Sequence, residues 1–132
     1  MHAIYQKYRL VDRSPKKNDA ADVVLFNLPL QESKGVAVLI VLHTPREKCW
    51  GILDEVSGAG VFLRGLDLNS FDEWLSSIVH EEPLVGVGDL FFPMWRVERI
   101  SKDEATGGIP SLREQVEQRT GRTVEELIGI GN

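Results

Sequence analysis

Apolar residues are densest between residues 35 and 100, and their spacing there changes several times. Val36, Ala37, Val38, Leu39, Ile40, Val41 and Leu42 form an unbroken, mostly β-branched run of strand length. A run with no polar alternation predicts a strand covered on both faces. One face meets a core, and the other requires a helix or another subunit. His43 to Lys48 are mostly polar, and Pro45 presets φ for a hairpin loop. Cys49, Trp50, Gly51, Ile52 and Leu53 predict a second strand. A glycine inside a strand marks a bulge or sharp bend, and a short sheet needs strong bending to close on itself. Ser57, Gly58, Ala59 and Gly60 make a second tight turn. The third strand covers residues 61–66, with Val61 and Leu63 on one face and Phe62 and Arg64 on the other.

The period then changes. Phe71, Trp74, Leu75, Ile78 and Val79 recur at helical spacing along one stripe. This predicts a helix over residues 70–80, with Asn69 as N-cap and Asp72 at its positive end. Burying Trp74 alone removes about 150–250 Å² from water, an upper bound of ~4–6 kcal/mol. The stripe is therefore expected to dock on the strands. Leu90, Phe91 and Phe92 predict a fourth strand, Pro93, Met94 and Trp95 a single tight turn, and residues 96–100 a last strand. Residues 106–110 read as a linker. Ser111 with Glu114, and Thr123 with Glu126, fit the capping-box spacing, with Gly121 a natural stop between two short helices. The first of these has few apolar positions, chiefly Leu112 and Val116, which predicts an exposed helix or one that docks on a partner. Residues 128–132 are expected to fray.

Ahead of this block, residues 1–20 are polar, with Ile4, Tyr5, Tyr8, Leu10 and Val11 able to anchor a short strand. Val23, Val24, Leu25 and Phe26 suggest another, which Pro29 ends or confines to an edge. The expected fold is mainly β: a small barrel of about five strands, with one helix inserted before the last two strands and short C-terminal helices. Residues 1–34 form an N-terminal arm with an edge strand. Residues 35–104 form the barrel, including the helix, and residues 105–132 a helical extension.

At 132 residues and 42% hydrophobic, the chain suits one domain with a real core. Its single cysteine, Cys49, excludes an internal disulfide framework and any cysteine-based zinc site. A lone thiol and no apolar signal core point to the cytoplasm. The longest apolar run is too short to cross a bilayer. The net charge of −5 argues against a general nucleic-acid footprint, but it is unevenly placed. Residues 1–18 carry Lys7, Arg9, Arg13, Lys16 and Lys17 against Asp12, a balance of +4, which leaves −9 on the remainder. Such an arm suits phosphate or an acidic neighbour, or is simply solvated.

Residues 35–66 and 88–100 together resemble the Sm-like (Hfq/LSm-type) family of ring-forming, RNA-binding small β-barrels. The apolar strand at 36–42, the strand with internal Gly51 and the strand at 61–66 resemble its first motif. Residues 88–100 resemble the second, with the helix as an insertion between them. The PRC-barrel and other SH3-like barrels share the apolar–Pro–turn–Val97–Ile100 ending. The resemblance implies a homo-oligomer paired through edge strands, with RNA as ligand. Two departures follow the motifs themselves. Where the family places Asp and Asn to hold a base, this chain has Ser57, Gly58, Ala59 and Gly60. Where it places Arg-Gly between the last two strands, this chain has Pro93 and Met94.

Candidate chemistry is sparse. His43 and Cys49 flank one hairpin, but a nucleophile–base pair needs a depressed thiol pKa and a third orienting group. A structural role is the better reading, and no catalytic residue is expected. His2, His43 and His80 lack ligand spacing, so neither a metal nor a cofactor is expected. Glu81–Glu82 and Asp103–Glu104 read as solvated charge. Phe91, Phe92, Met94 and Trp95 are the densest aromatic cluster, and with Arg96 and Arg99 they suit base stacking. Filling a core and a subunit seam fits the same composition better. The sequence thus predicts a non-enzymatic, self-associating module. RNA or single-stranded nucleic acid is the candidate ligand, met by Lys7, Arg9, Arg13, Lys16, Lys17, Trp95, Arg96 and Arg99. The alternative is a protein-interaction scaffold that binds no nucleic acid.

Overall fold

The computed structural model describes residues 35–82 and 86–129. The strands expected within residues 1–34 lie outside the described residues, as do Lys7, Arg9, Arg13, Lys16 and Lys17. The described elements are β1 (Ala37–Leu42), β2 (Glu47–Val56), β3 (Gly60–Asp67), α1 (Phe71–Val79), β4 (Gly88–Pro93), β5 (Val97–Lys102), α2 (Leu112–Thr120) and α3 (Val124–Ile128). Short 3-10 turns at Leu68–Ser70 and Met94–Arg96 precede α1 and β5. The five strands form one antiparallel sheet in the order β4-β3-β2-β1-β5.

That order explains the shape. In a flat sheet the β4 and β5 edges would stand four strand spacings apart, about 19 Å. The 3-10 turn that joins them rises only about 8 Å over its few residues. The sheet must therefore curl to bring its ends together. Two backbone bonds hold the turn in place: Met94 donates to the Ala59 carbonyl and His43 donates to the Arg96 carbonyl, both at 3.0 Å. No ladder joins β4 to β5 among the described residues, so the sheet is curled but open, and the expected closure does not occur.

The unbroken run of β1 is covered on both faces, as its pattern requires. Inside the curl, Val38, Ile40 and Leu42 pack with Leu53, Val61, Leu63, Phe92, Val97 and Ile100. On the outer face, Ala37 joins Trp50, Ile52 and Leu66 beneath the helices. Phe71, Trp74 and Leu75 of α1 bury against that face. Trp50 meets Phe71 edge-on at 5.3 Å and Trp74 at 6.0 Å between ring centroids. Val79, the last member of the apolar stripe, is exposed. The cap of this helix differs from expectation. Asn69 is not the N-cap; it lies within the 3-10 turn, where its N–H donates to Asp67 Oδ1 at 2.7 Å. The chain leaves β3 through Asp67, so the capping carboxylate sits ahead of the turn and Ser70 enters α1 with no side-chain cap bond.

The C-terminal helices are also placed differently. Both expected capping boxes form, at Ser111–Glu114 and Thr123–Glu126. Gly121 takes the left-handed conformation that ends α2. Yet α2 is neither free nor waiting for a partner. Val116 and Val124 are fully buried and Ile128 is 1% exposed, all in the outer core with Trp50. Ile128, expected to fray, is anchored there, and its carbonyl accepts from Arg64 Nε at 3.1 Å. One well-placed apolar residue per turn is enough when it lands on an already apolar sheet face. Asp103 locks this arrangement. Its carboxylate accepts from the Leu112 and Arg113 backbone N–H groups at 2.8 Å each and from the Trp50 indole at 3.2 Å. Expected to be solvated charge, it instead satisfies the open amides of α2 and ties that helix to the sheet.

Candidate functional site

The helices do not cover the whole outer face. Cross-strand partners share a face, so the register carries Glu55 of β2, Phe62 of β3 and Phe91 of β4 across the sheet as one row. Arg64 and Asp89 form the adjacent pair. Phe62 is 39% and Phe91 45% exposed, and their rings lie tilted with centroids 4.7 Å apart. Gly60 makes room for this, since a Cβ there would meet the Phe91 ring at 2.7 Å. A shallow cleft of about 340 Å³ opens at this place, lined by Asp54, Phe62, Leu63, Asp89, Leu90 and Phe91. Asp54 reaches it because β2 bulges between Leu53 and Glu55. Arg64 bonds Asp89 Oδ1 at 3.2 Å while that carboxylate remains largely in solvent. Among the described residues, Asp54, Glu55 and Asp89 stand around this aromatic patch, with Arg64 beside Asp89.

This patch borders the β4 edge, which pairs only with β3 among the described residues. At the opposite end β5 pairs only with β1, and exposes Glu98, Arg99 and Lys102. Among the described residues, both edges of the sheet are without a second neighbouring strand, the arrangement that lends itself to strand addition.

The three described members of the expected nucleic-acid set are dispersed in role. Trp95 stands 59% exposed and makes an edge contact with His43 at 6.4 Å. Arg99 is exposed on β5, opposite Val41. Arg96 is engaged within the chain. Its guanidinium donates to the His43 carbonyl at 3.2 Å, the Pro45 carbonyl at 2.7 Å and Glu47 Oε1 at 3.3 Å, with the side chain only 17% exposed. It staples the β4–β5 turn to the β1–β2 hairpin, a job that suits the planar guanidinium fork.

Cys49 faces the inner core and is 4% exposed. Burial, with repulsion from Asp67 and Glu47 added, pushes its thiol from the ordinary 9.0 up to about 11. A thiolate nucleophile needs the opposite shift. The His43 ring bonds the neighbouring Thr44 hydroxyl at 3.0 Å. The linkage has a definite sign. The folded chain holds the Cys49 proton where the unfolded chain releases it, so this stability is present below about pH 9. It falls as pH rises towards 11, by roughly 2–3 kcal/mol. The urea midpoint of the wild type is expected to drop over that range by more than that of Cys49→Ala. Equal drops would refute the assignment. A disulfide reagent at pH 8 should label Cys49 only after unfolding.

Among the described residues, no group of three or more His, Cys, Asp or Glu side chains converges on a metal position. No described helix is long and apolar enough to cross a membrane. Comparison with known protein families, curated proteins and solved structures returns no match for this chain. The reading of the site therefore rests on its own geometry. Sequence reasoning placed Phe62 on the face opposite Val61 and Leu63, which is the signal for its exposure. Its partnership with Phe91, and the recruitment of Asp54 through a bulge, depend on register.

Proposed function

We propose that this chain is a non-enzymatic SH3-like or Sm-like module that assembles through its sheet edges, with a second copy of itself as the first partner. The observation that carries this is an open, curled sheet whose β4 and β5 edges both lack a neighbour among the described residues. The strand order and the three-residue turn between β4 and β5 support the small-barrel reading. An edge strand without a neighbour is a template for strand addition, which supports a protein seam. Light scattering at micromolar concentration is expected to give a mass above the 14.8 kDa of one chain. A single-chain mass throughout would sink the assembly.

A second reading keeps RNA as ligand, favoured by exposed Trp95, exposed Arg99 and the basic residues of the arm. It is weakened by the commitment of Arg96 to its three internal acceptors and by the −9 carried outside residues 1–18. Anisotropy of labelled single-stranded RNA at low salt, where phosphate contacts are strongest, separates the two readings. Saturable binding that Trp95→Ala weakens would favour RNA, and absence of binding removes it.

A further inference from the structure

The charge of this chain is divided unevenly along its sequence. Residues 1–18 carry +4 and the remainder −9. On the sheet, Asp54, Glu55 and Asp89 rim the exposed Phe62–Phe91 pair, with Arg64 the only basic side chain in those rows among the described residues. Aromatic faces flanked by carboxylates attract ammonium and guanidinium groups, through the ring quadrupole and through plain charge. The described fold begins beside this place. The Gly35 N–H donates to the Leu53 carbonyl at 2.8 Å, one residue before Asp54. From there the row Leu53, Leu63, Leu90 runs straight across β2, β3 and β4 to the cleft.

We propose that the basic N-terminal arm, residues 1–18, docks on the Phe62–Phe91 face of its own chain. Its lysine and arginine head groups lie over the two rings and against the Asp54, Glu55 and Asp89 carboxylates. Reach is not limiting. The 17 steps from Asn18 to Gly35 span up to about 56 Å when extended, while the far side of the cleft is about three strand spacings from Gly35, roughly 14 Å. Tethering raises the effective concentration of the arm to roughly the millimolar range, so individually weak contacts suffice. The arm then screens an aromatic patch and an acidic rim at once, next to the β4 edge. This inference does not depend on whether the chain assembles through its edges.

The test uses the full chain with a nitroxide spin label on Ser14→Cys. Buried Cys49 stays unlabelled in the folded protein. The spin-labelled, ¹⁵N-labelled chain is recorded at low salt in a large excess of unlabelled chain, so that broadening reports contacts within one molecule. The amide signals of Asp54, Phe62, Asp89 and Phe91 are expected to lose most of their intensity. Those of Val116 and Val124, under the helices, should not. The loss should reverse in 1 M salt, where the Debye length is about 3 Å, and in the double variant Lys16→Glu, Lys17→Glu. No selective broadening at the cleft overturns the proposal. So does broadening that vanishes on dilution with unlabelled chain, which assigns the cleft to a second copy. Broadening that ignores both salt and charge reversal also overturns it.

Discussion

Trp50→Ala is expected to lower the unfolding free energy by about 3–5 kcal/mol, measured as a fall in urea midpoint at unchanged slope. Trp50 is fully buried in the outer core, in the same cluster as Phe71, Trp74 and Leu75 of α1 and Val116 of α2. Its ring packs against Phe71 and Trp74, and its indole N–H donates to Asp103. Truncation leaves a large cavity between sheet and helices that the curled sheet cannot collapse to fill. Domains of this size are stable by only about 5–15 kcal/mol, so the variant loses a large share of its margin. The Asp103 carboxylate would keep its two α2 backbone donors, so no buried charge is stranded and the loss is chiefly packing. Trp50→Phe separates the two contributions. It keeps most of the apolar contact and forfeits the indole bond, a loss of about 0.5–3 kcal/mol. An unchanged midpoint for Trp50→Ala would mean that the helices do not rest on this residue.

Gly65→Ala is expected to cost about 1–3 kcal/mol, although adding a methyl to glycine in extended backbone usually helps. The usual gain is about 0.4–1 kcal/mol, from restricting the unfolded chain. Here Gly65 stands directly opposite Gly51 across β2 and β3. A Cβ on Gly65 would sit 2.1 Å from the Trp50 carbonyl oxygen and 2.7 Å from the Gly51 Cα. One on Gly51 would sit 2.3 Å from the Arg64 carbonyl oxygen. These neighbours are backbone and cannot swing aside, so the strands must separate and overpacking outweighs the entropic gain. Gly65→Val should cost more than Gly65→Ala. Gly58→Ala is the control, because a Cβ there meets nothing within 4 Å, and such a site should stay within about ±0.5 kcal/mol. If Gly65→Ala matched Gly58→Ala, the close approach of β2 and β3 would not be sterically limiting.

Gly51 shows how far a sequence reading reaches. A glycine inside an apolar strand announces a bulge, a bend or a close backbone approach. At Gly51 the structure shows the close approach, the β2 bulge lies further on between Leu53 and Glu55, and the partner Gly65 is identified only by the register of β2 on β3. Arg96 shows the opposite outcome. Beside exposed aromatics it reads as a ligand contact, whereas its acceptors are about fifty residues away in the β1–β2 hairpin. Asp103 reads as surface charge for the same reason. Its indole donor, Trp50, is 53 positions distant.

Periodicity and turn chemistry determined by themselves the mainly-β class, five strands close to their observed bounds, the apolar stripe of α1 and the two capped C-terminal helices. These are local properties. Side chains alternate every second residue in a strand and recur every third or fourth in a helix, and a capping box spans four residues. Tertiary structure alone decided that the sheet curls yet stays open. It also decided that Val116, Val124 and Ile128 cover part of its outer face, that Arg96 serves as a staple, and that Phe62 and Phe91 are left together in solvent beside acidic side chains. Each of these depends on which distant strand lies alongside. Strand order and register are settled by the whole core finding one packing, and no window of neighbouring residues contains that information.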